Sequence, residues 1–128
     1  MNFATSALGD IGDAAVLWIA DTGSGNHLCS AEKFHEEILQ GLKPCPDIRL
    51  ATVNGVIGAR GELDVWMPEL QMNAKFLLLD KCPPVLSVGR LVEDHGFQFQ
   101  WKQGCAWFTS PSGTKLVFHV KNYVPMLT

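Results

Sequence analysis

Apolar residues in this chain fall into short runs broken by glycine, proline and acidic turns, a pattern that predicts strands more than long helices. From Ala14 to Ala20 the chain is continuously apolar through Val16, Leu17, Trp18 and Ile19, and then stops at Asp21-Thr22-Gly23-Ser24-Gly25. This predicts a buried strand that delivers a carboxylate into a turn. Phe34, Ile38 and Leu42 recur every four residues with Glu32, Lys33, Glu36 and Glu37 between them. The spacing predicts a short helix, capped by Ser30, that closes near Gly41 and cannot pass Pro44 and Pro46.

The rest reads as β structure. Ile48 to Val53, then Asn54-Gly55, then Val56 and Ile57 predict a hairpin, because both turn residues tolerate positive φ. Leu63, Val65 and Met67 alternate with Glu62, Asp64 and Trp66, and Phe76 to Leu79 form a second buried run before Pro83-Pro84. Val85 to Gly89 lead into a short helix near residues 90–95 that Gly96 can end. Phe97, Phe99 and Trp101 alternate with Gln98 and Gln100, and a last hairpin is expected from 107–109 to 115–120 around Pro111-Ser112-Gly113. The class is mostly β with one or two short helices.

Composition narrows the picture. A chain of 128 residues, 47% hydrophobic and 18% charged, has room for one domain and enough apolar surface for a core. Residues 1–13 lack periodicity and read as a flexible N-terminal arm, leaving 14–128 as a single domain. The net charge of −3, with only ten Lys and Arg scattered along the sequence, argues against nucleic acid or a membrane as ligand. No run approaches the roughly 18 apolar residues of a membrane span. A cytoplasmic protein with a peptide or protein partner is expected.

Cys29, Cys45, Cys82 and Cys105 show no C-x-x-C spacing and read as reduced thiols. Grouped with His27 and His35 they form no paired ligand knuckles, so no metal and no cofactor are expected. No nucleophile motif surrounds Cys29 or Cys82, and Ser24 does not stand in G-x-S-x-G. His27 reads as a structural or surface residue, and most of the four tryptophans as core.

Asp21 is different, because an ionised carboxylate at the end of an apolar strand has to be hydrogen-bonded or used. Gly23 allows close approach of the backbone and offers its N–H, and the Thr22 hydroxyl can bond to a neighbouring chain. Asp21-Thr22-Gly23 is followed by Asn26-His27-Leu28, by Thr52-Val53-Asn54-Gly55, by Gly61 before a strand, by Leu86-Ser87-Val88-Gly89-Arg90-Leu91, and by Gly96-Phe97-Gln98-Phe99. In this order and spacing the chain, from about Val16 to Leu116, resembles the retropepsin-like aspartic proteases, most closely those of copia-type retrotransposon polyproteins. It departs from them at Ser24, where alanine is common, at Ser87, which puts a hydroxyl into an apolar run, and in its long segment after Phe97.

The resemblance implies a closed β-barrel of the acid-protease type. It implies that Asp21 is catalytic, that Thr22, Gly23 and Ser24 support it, and that Val53, Asn54, Gly55, Val56 and Ile57 form a flap over substrate. It further implies that Asn26, Gly89 and Arg90 brace the loop, and that the substrate is a retrotransposon polyprotein, processed in the cytoplasm or in a virus-like particle. The chemistry needs two carboxylates too close to ionise together, one a base for water and the other a proton donor. No other aspartate is followed by Thr/Ser-Gly. The second carboxylate must therefore be Asp21 of a twofold-related copy, and a homodimer is expected. Its interface is expected within residues 97–120, whose strands have no assigned partners, together with the N-terminal arm. The rival reading is the same fold kept as a catalytically silent dimerisation or peptide-binding module.

Overall fold

The computed structural model describes residues 18–45, 49–52 and 55–127, and of residues 49–52 and 55–57 the backbone alone. The expected N-terminal arm, Val16, Leu17 and the hairpin tip Val53-Asn54 lie outside the described residues. In chain order the elements are β1 (Trp18–Asp21), β2 (His27–Ser30), a 3-10 turn (Ala31–Lys33), α1 (Glu36–Leu39), β3 (Arg49–Thr52), β4 (Gly55–Gly58), β5 (Gly61–Met67) and β6 (Met72–Leu79). They continue with β7 (Val85–Ser87), α2 (Val88–His95), β8 (Gln98–Lys102), β9 (Cys105–Thr109), β10 (Lys115–Lys121) and β11 (Val124–Leu127). The protein is mostly β. Among the described residues no helix is long and apolar enough to cross a membrane.

The described residues form two compact units, one from 28–82 and one from 18–27 with 83–127. In the first, β5 and β6 pair antiparallel with Leu63 opposite Phe76 and Val65 opposite Ala74. The alternation read from the sequence puts Val65, Met67, Phe76 and Leu78 on one buried face. Gly61 is buried where its strand meets Lys43 in two backbone hydrogen bonds through Glu62, of 2.9 and 2.8 Å. A Cβ on Gly61 would lie 2.6 Å from the Lys43 carbonyl oxygen, so only glycine fits this approach.

The helix expected from Ser30 to Leu42 is broken. Phe34 and His35 are extended, with ψ of 146° and 150°, between the 3-10 turn and the single turn of α1. Extension lets Phe34 bury to 7% exposure. Ser30 does not cap the turn with its side chain; its buried hydroxyl donates instead to the Asp80 carbonyl at 3.0 Å. Satisfying a buried hydroxyl outweighed local helical periodicity.

The second unit holds six strands in the order β7-β1-β11-β10-β9-β8. On one face Phe108 meets the rings of Phe97, Phe99 and Phe118 at 6.1, 4.8 and 5.6 Å, with Phe97 and Phe118 edge-on. The expected hairpin β9–β10 forms but is not the last: β11 makes a further hairpin with β10 and lies between β10 and β1. The strands of 97–120 are therefore partnered within the chain. Of them only β8 ends the sheet, so the reason for placing a dimer interface across that whole region falls away. α2 runs from Val88 and stops at Gly96, whose φ of 71° is the left-handed cap that favours glycine.

Candidate active site

Asp21 closes β1, which runs parallel to β7 with Asp21 in register with Ser87. The strand is anchored by buried Trp18 and Ala20. Asp21 itself is half-buried, and Thr22 and Gly23 after it are exposed. The Gly23 amide turns back and donates to Asp21 Oδ1 at 2.7 Å. That bond orients the carboxylate and leaves its other oxygen for chemistry.

The turn after Asp21 is stitched by its own side chains and by α2. Ser24 Oγ donates to the Asn26 carbonyl at 2.6 Å and accepts from the Asn26 amide at 3.3 Å. Ser87, fully buried, donates its hydroxyl to the Ser24 carbonyl at 2.6 Å and accepts from the Arg90 amide at 3.1 Å. It is thus both the N-cap of α2 and a tie to the turn. Ser24 and Ser87 therefore act together, one inside the turn and one holding it.

Arg90 reaches over the same turn. Its Nε donates to the Gly25 carbonyl at 2.8 Å, Nη2 to Asn26 Oδ1 at 3.3 Å, and Nη1 to Asp94 one helical turn on at 3.2 Å. Three bonds from one planar group hold its fork in place, which a lysine could not reproduce. Asn26 and Arg90 thus brace the loop geometrically. Gly89 is exposed in the first turn of α2, with only Ser87 Oγ, at 3.9 Å, near where a Cβ would stand.

His27, which the sequence left as structural or surface, is 4% exposed and its Nδ1 accepts from the Ser87 amide at 2.9 Å. This fixes the neutral ring with its proton on Nε2. Burial, and then the charges of His95 and Arg90, lower its pKa from 6.5 to about 4, against a smaller opposing effect of Asp94. A charge on this ring would remove the acceptor beneath Ser87. The sequence carried no signal for this partner, because the donor is the Ser87 backbone amide and only strand register brings it to His27.

The segment expected to form a flap contains the β3–β4 hairpin, with Thr52 opposite Gly55 and Ala51 opposite Val56. Gly55, Val56 and Ile57 lie in β4, while Val53 and Asn54 at the tip are outside the described residues.

Cys29 and Cys82 are poor nucleophiles here. Burial, and then the nearby Cys82, push the Cys29 thiol up to about 12 despite smaller opposing effects of a Ser30 backbone hydrogen bond and Lys33; burial pushes Cys82 to about 11. All four cysteines are free. Among the described residues no three His, Cys, Asp or Glu side chains gather into a metal-holding group.

Neither a protein-family model nor a curated protein matches this chain, so the site's own geometry carries its reading.

Proposed function

We propose that the chain is one subunit of a retropepsin-like aspartic endopeptidase, with the acid-protease barrel as its fold and an active site shared between two copies. The observation that carries this reading is Asp21, at the end of an apolar strand, held by the Gly23 amide at 2.7 Å on a turn that Ser87 and Arg90 immobilise. Such preorganisation suits a carboxylate that must keep its position while its proton load changes.

In the proposed mechanism, two Asp21 carboxyls share one proton and titrate as a pair. The ionised member takes a proton from water as the oxygen attacks the peptide carbonyl, and the protonated member gives its proton to the carbonyl oxygen. Collapse of the tetrahedral intermediate breaks the C–N bond: the leaving amine takes the proton that the first Asp21 gained from water, and a hydroxyl of the intermediate returns a proton to the second Asp21, restoring the shared-proton pair. Thr22, Gly23 and Ser24 hold the loop, the β3–β4 hairpin covers substrate, and no metal or cofactor takes part. A retrotransposon polyprotein in the cytoplasm or a virus-like particle is the proposed substrate setting.

The test is turnover of peptide substrates by purified protein over a dilution series, alongside Asp21→Asn. Hydrolysis that Asp21→Asn abolishes, with circular dichroism unchanged and specific activity falling on dilution, is the expected result. Full activity from a demonstrated monomer would sink the shared site. A folded dimer that binds peptides and never cuts them would favour the silent binding module.

A further inference from the structure

The six-stranded sheet has a second face, opposite the phenylalanine cluster. Residues directly paired across strands point to the same side, and residues two apart along a strand do likewise. One row therefore crosses the sheet through successive pairings: Lys102 with Cys105, Cys105 with His119, His119 with Met126, and Met126 with Ile19. Asp21 is two residues beyond Ile19 and so belongs to this side. Trp107 is two beyond Cys105, and Lys115 and Lys121 fall at even spacings from His119.

This side is basic. All 13 Asp and Glu residues of the chain occur at or before Asp94, whereas Lys102, Lys115 and Lys121 come after it. The lysines, scattered in sequence, thus meet on one exposed face on which, among the described residues of these strands, Asp21 is the sole carboxylate. None of the three is ion-paired among the described residues. Lys102 and Lys115 instead hold their ammonium groups 5.8 Å from the centroid of the Trp107 ring, and Val117 beside it is 43% exposed.

We propose that this face is an exosite for an acidic, extended segment of the polypeptide substrate, lying beyond the bond presented to Asp21. The inference rests on the proteolytic reading above. Its carboxylates would pair with Lys102, Lys115 and Lys121, and its apolar side chains would lie on Trp107 and Val117. Lys121 lies on β10, paired with Val124 of β11 and two strand spacings, about 10 Å, from β1, so the acidic stretch begins roughly three extended residues from the scissile bond. A nucleic acid fits less well. Three lysines neutralise only about three phosphates, and the rest of the chain is acidic.

The test is fluorescence anisotropy at low salt with the full chain. The probes are a labelled peptide of alternating Glu and Val, the same peptide with Gln for Glu, and an oligouridylate. The exosite predicts that the Glu peptide binds about tenfold or more tighter than the Gln peptide. The triple variant Lys102→Gln, Lys115→Gln, Lys121→Gln, altered only at exposed positions, should erase that preference while keeping its circular dichroism. Equal binding of the two peptides, a preference that survives the triple variant, or tighter binding of the oligouridylate would each overturn the proposal. Acid-selective binding without hydrolysis would keep the exosite and count against the protease; hydrolysis indifferent to distal acidic residues would do the reverse.

Discussion

The Ser87 hydroxyl donates to the Ser24 carbonyl at 2.6 Å, joining the helix cap of α2 to the turn that carries Asp21 across 63 residues of chain. Ser87 is fully buried, and its bonds to the Ser24 carbonyl and the Arg90 amide are partly buried. Ser87→Ala should therefore leave the Ser24 carbonyl and the Arg90 amide unpaired and cost about 1–3 kcal/mol. Urea unfolding would measure the loss, and kcat/KM on a peptide should fall further than stability alone explains, since the turn loses its tie. An unchanged urea midpoint would show that the turn is held elsewhere.

The His27–Ser87 bond gives stability a defined pH dependence. The His27 pKa is depressed from 6.5 to about 4, so between these values the unfolded chain binds more protons than the folded one. The contribution is fully present above pH 6.5 and is lost progressively as pH falls toward 4, by roughly 3 kcal/mol in all. His27→Asn offers an acceptor oxygen near the Nδ1 position without a titrating ring, and its unfolding midpoint should flatten across this window. In the wild type, NMR of the His27 ring should report the neutral form until pH approaches 4. A ring that protonates at its ordinary pH would remove the effect.

If the site is shared, subunits must poison one another. Mixed in equal amounts and allowed to exchange, wild-type and Asp21→Asn chains would leave each wild-type subunit with about half its activity, because about half its partners would lack the carboxylate. Activity per wild-type subunit that stays constant in the mixture would point to a complete site in each chain.

The tip of the β10–β11 hairpin is strained in a way that can be relieved. Asn122 and Tyr123 form its two-residue loop with φ of 50° and 68°, and the Tyr123 side chain is carried on a residue that is 92% exposed. A bulky residue rarely adopts this conformation, and Asn-Gly is the preferred pair for it. Tyr123→Gly should stabilise the protein by about 0.5–1 kcal/mol, raising its thermal midpoint by a few degrees. A lower midpoint would mean that the ring makes a contact worth more than the strain.

Some of this architecture was legible along the chain. Val85 to Gly96 read as a strand running into a short helix that ends at Gly96, where φ turns positive; the helix begins at Val88 rather than near residue 90, because Ser87 caps it. The β9–β10 and β5–β6 strands followed from alternation and turn residues. Two strands were not legible. β2 is four residues long with no alternation of its own, and β11 contains Pro125, a residue that argues against an interior strand. β11 nevertheless lies between β1 and β10; its described pairing with β1 includes Met126 and Leu127 and stops short of Pro125, which has no N–H to add.

What the sequence by itself determined was local: an apolar run that places Asp21 at a strand end, glycines that permit particular turns, and the mostly β class. Tertiary structure decided which distant groups meet. It bound Ser87 to Ser24 and His27, turned Ser30 away from a helix cap toward Asp80, and set Lys102, Lys115 and Lys121 on one face with Asp21. The physical reason is that a residue's neighbours along the chain set its backbone preferences. Strand register and the need to satisfy buried polar groups set its partners, and both depend on residues tens of positions away.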